Sequence, residues 1–176
     1  MTDHASPEVI FGISGSISAY KSLDIIRLLR KANIAIRPIL SESAHQFVTP
    51  WSVQTLAESN LIDDEIRNGR ISHLDVCKNA QAFVVCPASA NIIAKLAQGL
   101  ANDMLTASFL SFTGPKIIFP AMHTEMYDNA MTQRNIQQLK AAGVIVIPPT
   151  TGDLASGDSG KGRLPDVHLI ADLIQF

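Results

Sequence analysis

The sequence predicts an α/β fold in three layers, α/β/α, with a mostly parallel sheet between two sets of helices. Three observations carry this. Short apolar runs rich in β-branched residues recur along the chain, as expected for strands buried on both faces. Helical periodicity fills the intervals, so strand and helix alternate as the crossovers of a parallel sheet require. Small and polar residues follow several runs directly, where an open sheet of this kind holds its ligands.

The first run is Val9-Ile10-Phe11-Gly12-Ile13, and Leu23, Ile25, Ile26, Leu28 and Leu29 then mark an amphipathic helix over residues 19–31. The second run is Ile34-Ala35-Ile36-Arg37-Pro38-Ile39. Residues 50–70 open with a proline, suited to a first helical position, and pass into a polar, acidic stretch that reads as a surface loop. The third run, Ala82-Phe83-Val84-Val85-Cys86, precedes a helix marked by Ile93, Leu96 and Leu100. After the fourth, Lys116-Ile117-Ile118-Phe119, residues 128–142 read as a helix with Asp128 as N-cap and Gly143 as its stop. Val144-Ile145-Val146-Ile147 is the fifth run. Residues 150–163, rich in Gly, Ser, Thr and Asp without periodicity, read as a long mobile loop of the kind that serves as a lid. This alternation is that of a flavodoxin-like or Rossmann-like sheet. With no repeat and no linker, residues 1–176 are expected to form one domain.

Composition narrows the function classes. An apolar fraction of 47% with 17% charged residues is that of a soluble globular chain. The net charge of −2 comes without a run of Lys or Arg, which argues against a nucleic-acid partner. No apolar stretch approaches the ~18 residues of a membrane span, and residues 1–7 carry no signal pattern, so a cytoplasmic protein without membrane attachment is expected. Cys77 and Cys86 are too isolated for a disulfide framework or a zinc site. They read as buried thiols in a reducing compartment, and no metal is expected.

Chemistry concentrates at the ends of the runs. Gly12-Ile13-Ser14-Gly15-Ser16-Ile17-Ser18 joins the first strand to the first helix. Its glycines permit close backbone approach and the helix start offers unpaired N–H groups to an anion. It matches neither GxGxxG nor a P-loop, which disfavours NAD and ATP, and a plain Gly/Ser turn is the alternative. Pro87-Ala88-Ser89-Ala90-Asn91 follows the third run and either caps the next helix or holds a second edge of the same ligand. Ser41-Glu42-Ser43 ends the second run, either facing the same crevice or forming a solvated turn. Pro120-Ala121-Met122-His123-Thr124-Glu125-Met126 puts polar chemistry at the end of the fourth run, with His123 where a reacting substrate is expected. His73, at an expected exposed helix start in Ile71-Ser72-His73-Leu74-Asp75-Val76, reads as a general base or as a capping or surface residue.

Taken together, these segments resemble the homo-oligomeric flavin-containing cysteine decarboxylases. The resemblance runs through Gly15-Ser16-Ile17 with Ala19-Tyr20-Lys21, the His73 segment, Pro87-Ala88-Ser89-Ala90-Asn91, Pro120-Ala121-Met122 with Met126, and Gly157-Asp158-Ser159-Gly160-Lys161-Gly162-Arg163. The last loop looks most like the branch acting on phosphopantothenoylcysteine in coenzyme A biosynthesis. The resemblance implies FMN held by Gly15, Ser16, Ile17, Ser41, Ser43, Ser89, Ala90, Asn91 and the backbone at Ala121. It implies homotrimers, or dodecamers built from them, with flavin at the subunit interface and His73 as the catalytic residue serving a neighbouring subunit. It also implies oxidation of the cysteine thiol to a thioaldehyde, loss of CO2 to an enethiol, and return of the electrons, under a lid formed by residues 151–163.

Several positions depart from the family pattern. His123 stands where an Asn usually holds the substrate carboxylate, and Ser156 where many members carry a Cys that protonates or reduces the enethiol. A hydroxyl is a far weaker acid than a thiol. Ile92 replaces a usual Thr beside the flavin. With Met126, His123 and Ser156 form the expected substrate-binding set. Other readings are oxidative decarboxylation of a peptide's C-terminal cysteine, which would suit Ser156, and a flavin-binding regulatory subunit without turnover. Flavin prenyl transfer fits the lid motif poorly.

Overall fold

The computed structural model describes residues 6–62, 66–67 and 70–175. Strand β1 spans Glu8–Ile13 and leads through a 3-10 turn, Ile17–Tyr20, into α1, Lys21–Lys31. β2 is Ala35–Leu40, followed by a second 3-10 turn, Glu42–Gln46, and by α2, Pro50–Ala57, capped by the Thr49 side chain. The two-residue strands β3, Ile66–Arg67, and β4, Arg70–Ile71, pair antiparallel ahead of the short α3, Ser72–Asp75. β5, Ala82–Ala88, is buried along its whole length and runs into α4, Ala90–Ala97, and α5, Met104–Ser111. β6, Lys116–Pro120, precedes the short α6, Thr124–Asp128, and then α7, Ala130–Ala141. β7 is Ile145–Val146, β8 is Thr150–Asp153, β9 is Ser159–Arg163, and α8, Val167–Ile174, ends the described chain.

The main sheet has the order β2-β1-β5-β6-β7 with every neighbour parallel. Counting only its own strands, that is the 2-1-3-4-5 order of flavodoxin-like sheets, whose switch point lies between the first and third strands. Here the switch falls between β1 and β5. One face of the sheet buries Val9, Phe11, Ile13, Val84 and Phe119 against α1, α2 and α8, and the other buries Ile10, Phe83, Val85 and Ile118 against α4, α5 and α7. The three-layer expectation is met, and each of the five runs supplies a sheet strand.

The differences have local causes. β7 is shorter than its run because it is the sheet edge, where Ile145 is exposed and Pro148-Pro149 follow without donors to extend the ladder. The helix expected to reach Leu100 stops at Ala97, and Gly99 takes a φ of 68° beyond it. Asp128 closes α6, and the Asn129 side chain caps α7 by accepting from the Met131 amide at 2.9 Å. Gly143, with φ of 85°, makes the expected stop. Residues 150–163 are not an irregular loop: they form the antiparallel hairpin β8–β9. The acidic stretch Asp63-Asp64-Glu65 and residues 1–5 lie outside the described residues. Cys86 is buried, whereas Cys77 is half-buried. Among the described residues no helix is long and apolar enough to cross a membrane.

Candidate active site

The carboxyl ends of β1, β5 and β6 converge at the switch point, and buried hydroxyls tie them together. Ser14, 1% exposed, donates through Oγ to the Pro87 carbonyl at 2.8 Å and accepts from the Ser89 amide at 2.8 Å. Ser22, on α1, donates to the Cys86 carbonyl at 2.8 Å. The Ala121 amide donates to the Ala88 carbonyl at 3.1 Å, and Ser16 Oγ donates to the Ala121 carbonyl at 3.3 Å. Three loops that are far apart in sequence thereby share one rigid floor.

A cleft of about 730 Å³ opens above that floor, within the usual range for cofactor and small-molecule sites. Gly15, Ser16 and Ile17 line it from β1, Ser43 from β2, Ser89, Ala90 and Asn91 from β5, and Ala121, His123 and Met126 from β6. Ser156 reaches it from the hairpin. Ser41 does not line it: the residue is 7% exposed, and its hydroxyl pairs with Ser43 Oγ at 3.2 Å, so it positions Ser43 from below. His73 is also absent from the lining. It sits on α3, half-buried rather than at the expected exposed start, with Nδ1 buried and unpaired among the described residues.

The donor set suits a large ligand carrying an anionic end. The Ser16 side chain caps the 3-10 turn by accepting from the Ser18 amide, and the Ser89 side chain caps α4 by accepting from the Ile92 amide; a helix start offers further first-turn N–H groups to an anion beyond the one its cap takes. Gly15 leaves room that no other residue could leave: a Cβ there would lie 2.6 Å from Ser43 Cβ and 3.1 Å from its carbonyl carbon. Ala121, Met122 and Met126 add apolar surface suited to a flat ring system. These features fit a flavin mononucleotide: the helix starts would suit its phosphate and the apolar wall its ring.

The hairpin closes one side. Met122 donates its amide to the Gly162 carbonyl at 3.1 Å, and Gly162 lies so close to the Met122 carbonyl that a Cβ would collide with it. His123 Nε2 meets Asp158 Oδ2 at 3.2 Å, and Nδ1 pairs with Glu125. The Asp158 contact, followed by Glu125, raises the imidazole pKa above its ordinary value. In turn His123 and then the Ser156 hydroxyl hold the Asp158 carboxyl below its own. Both contacts favour the protonated imidazole at the cleft wall. Tyr20, Lys21, Leu154 and Arg163 also line the cleft. In sequence, Tyr20, Lys21 and Arg163 stand inside motifs with no role of their own, and only the fold brings them to the lining of one cleft.

Comparison with known proteins agrees with this geometry. The chain is 38% identical to the coenzyme A biosynthesis bifunctional protein CoaBC of Haemophilus influenzae over 162 residues, 90% of this chain and 40% of that one. It is 39% identical to CoaBC of Bacillus subtilis over 170 residues, 95% of this chain and 42% of the relative. The chain thus spans less than half the length of these relatives. Among solved structures, a PPC decarboxylase mutant complexed with pantothenoylaminoethenethiol superposes with a TM-score of 0.88 at 29% identity, covering 96% of each chain. The peptidyl-cysteine decarboxylase EpiD gives 0.82 at 27% identity, covering 96% of this chain and 98% of that one. The Flavoprotein family model matches residues 1–176 from end to end. The chain belongs to the Flavoprotein family.

Proposed function

We propose that this chain is an FMN-dependent phosphopantothenoylcysteine decarboxylase. It converts 4′-phosphopantothenoyl-L-cysteine to 4′-phosphopantetheine in coenzyme A biosynthesis, as a cytoplasmic homotrimer. The observation that carries the reading is the cleft at the β1/β5 switch point: two helix starts, the Gly15 cradle and an apolar wall in one cavity, in a chain 38% identical to CoaBC. FMN, when bound, supplies the electron sink that loss of CO2 from a cysteine carboxylate requires.

The chain's own residues do the rest. Gly15, Ser16 and Ile17 with Ser43, Ser89, Ala90, Asn91 and the backbone at Ala121 would hold the cofactor. His123 holds the substrate carboxylate by donating a hydrogen bond from its ring N–H, so the substrate competes with Asp158 for Nε2. Met126, 51% exposed, contacts the substrate chain from the same wall. The hairpin β8–β9 excludes water from the reacting thiol. His73 handles a proton at the cleft of a neighbouring copy, a role supported by its place outside this chain's own cleft lining and by its buried Nδ1, unpaired among the described residues. Ser156 engages Asp158 and is a poor proton donor at pH 7, so the final protonation draws on another group.

That last residue favours one alternative, oxidative decarboxylation of a peptide's C-terminal cysteine, in which the enethiol is released. A competition between 4′-phosphopantothenoyl-L-cysteine and a peptide ending in cysteine, with products read by mass, separates the two. The proposal expects phosphopantetheine as the main product. An enethiol peptide formed with the phosphorylated substrate untouched would overturn it.

A further inference from the structure

Lys21 and Arg163 line the same cleft, one at the start of α1 and one at the end of β9. Lys21 is half-buried and Arg163 exposed, and burial first, then repulsion from Arg163, lower the pKa of the Lys21 ammonium from its ordinary value. Asp166 and the Cys86 thiol oppose that shift without cancelling it. Neither cation makes an ion pair among the described residues. Asp153 is the one carboxylate among the lining residues, and Asp158 and Glu125 are taken by His123. This cleft therefore carries two cations with no direct ion pair among the described residues, besides the neutral donors of the helix starts.

We propose that Lys21 and Arg163 form a subsite for the phosphate monoester of the substrate. The inference rests on the decarboxylase reading above and narrows it, because a peptide ending in cysteine carries nothing for this pair to hold. A phosphate monoester bears about −1.5 to −2 charges at neutral pH, and guanidinium meets its oxygens in a two-pronged contact. The same chemistry would also attract the cofactor's phosphate. The substrate's is favoured because Arg163 comes from the hairpin that carries Ser156, whereas the proposed cofactor residues all come from strand ends.

Calorimetric titration of the FMN-loaded chain with 4′-phosphopantetheine and with pantetheine tests this, in the wild type and in Lys21→Met, Arg163→Ala and Arg163→Lys. The wild type should prefer the phosphorylated ligand, and each charge-removing change should cut that preference on the order of tenfold. Pantetheine and FMN affinities should hold, and Arg163→Lys should keep part of the preference. Equal losses for both ligands would overturn the subsite in favour of packing. A loss of FMN affinity with riboflavin affinity intact would assign the pair to the cofactor. A wild type that decarboxylates the substrate yet binds the two ligands equally refutes the subsite alone; one that binds neither and releases no CO2 refutes the decarboxylase reading with it.

Discussion

Replacing Ser14 by alanine removes a single oxygen from the floor of the cleft, and the geometry says how much that should cost. The hydroxyl makes two 2.8 Å bonds, donating to the Pro87 carbonyl and accepting from the Ser89 amide. Without it, Pro87 keeps only the longer contact from the Ser14 amide at 3.3 Å. The Ser89 amide loses its partner at the point where α4 begins. Each polar group left unpaired in such a place costs about 1–3 kcal/mol, and removing the buried hydroxyl returns a fraction. A loss of about 2–4 kcal/mol follows, which for a chain of this size lowers Tm by roughly 5–15 °C. Because Gly15 and Ser89 flank the lost bonds, FMN affinity should also fall by about tenfold or more. Ser22→Ala is the control: it loses one bond, to the Cys86 carbonyl, so about 1 kcal/mol, and it spares the cleft. Denaturant unfolding without FMN, with flavin titration in parallel, measures both effects. A Ser14→Ala change within about 0.5 kcal/mol of wild type, or indistinguishable from Ser22→Ala in flavin binding, would refute the reasoning.

Other perturbations read different parts of the site. Gly15→Ala puts a Cβ 2.6 Å from Ser43 Cβ; overpacking of this kind costs about 1–3 kcal/mol, and Gly15→Ala with Ser43→Gly should recover part of the lost flavin affinity. His73→Asn should leave a yellow, FMN-loaded protein of wild-type Tm while CO2 release falls by about 100-fold or more; retained turnover sinks the catalytic assignment. The His123–Asp158 contact should set a pH window for the hairpin tip. The raised His123 pKa gives a contribution fully present below the unfolded value of about 6.5 and lost as pH rises through the folded one. The lowered Asp158 pKa gives a contribution present above about 3.9 and lost as pH falls through its folded value. Amide exchange at the Ser156–Ser159 tip, corrected for its intrinsic pH dependence, should therefore be most protected between these limits, and Asp158→Asn should flatten the profile.

The five sheet strands were legible because a strand buried on both faces needs an unbroken apolar run, and few other segments of this chain have one. Helix α5 gives no such signal. Met104, Leu105, Thr106, Ala107, Ser108 and Phe109 are all buried, so it has no polar face for periodicity to detect. The capping box that Asp103 forms with Thr106 was the available sign. In α8, Asp166 as N-cap and the buried Ile170, Ala171 and Ile174 offered a fuller one. The hairpin β8–β9 hides because Gly152, Gly160 and Gly162 sit in its strands, where backbone approach to Thr124 and Met122 outweighs strand propensity. In the site, residues at strand ends could be read in order, since the fold fixes where those ends meet. Ser14 could not, because its partners lie more than seventy positions away, with |i−j| of 73 and 75. The Lys21–Arg163 pair likewise exists only once α1 and β9 are brought together.

Under the proposed function this cleft, loaded with FMN, removes CO2 from a phosphorylated cysteine conjugate. The direct test supplies the purified FMN-loaded chain with 4′-phosphopantothenoyl-L-cysteine labelled in the cysteine carboxyl, under anaerobic conditions, and counts released CO2 against 4′-phosphopantetheine. Equimolar CO2 and phosphopantetheine over many turnovers, abolished in His73→Asn, is the predicted result. A chain that binds FMN yet releases no labelled CO2 would contradict the account.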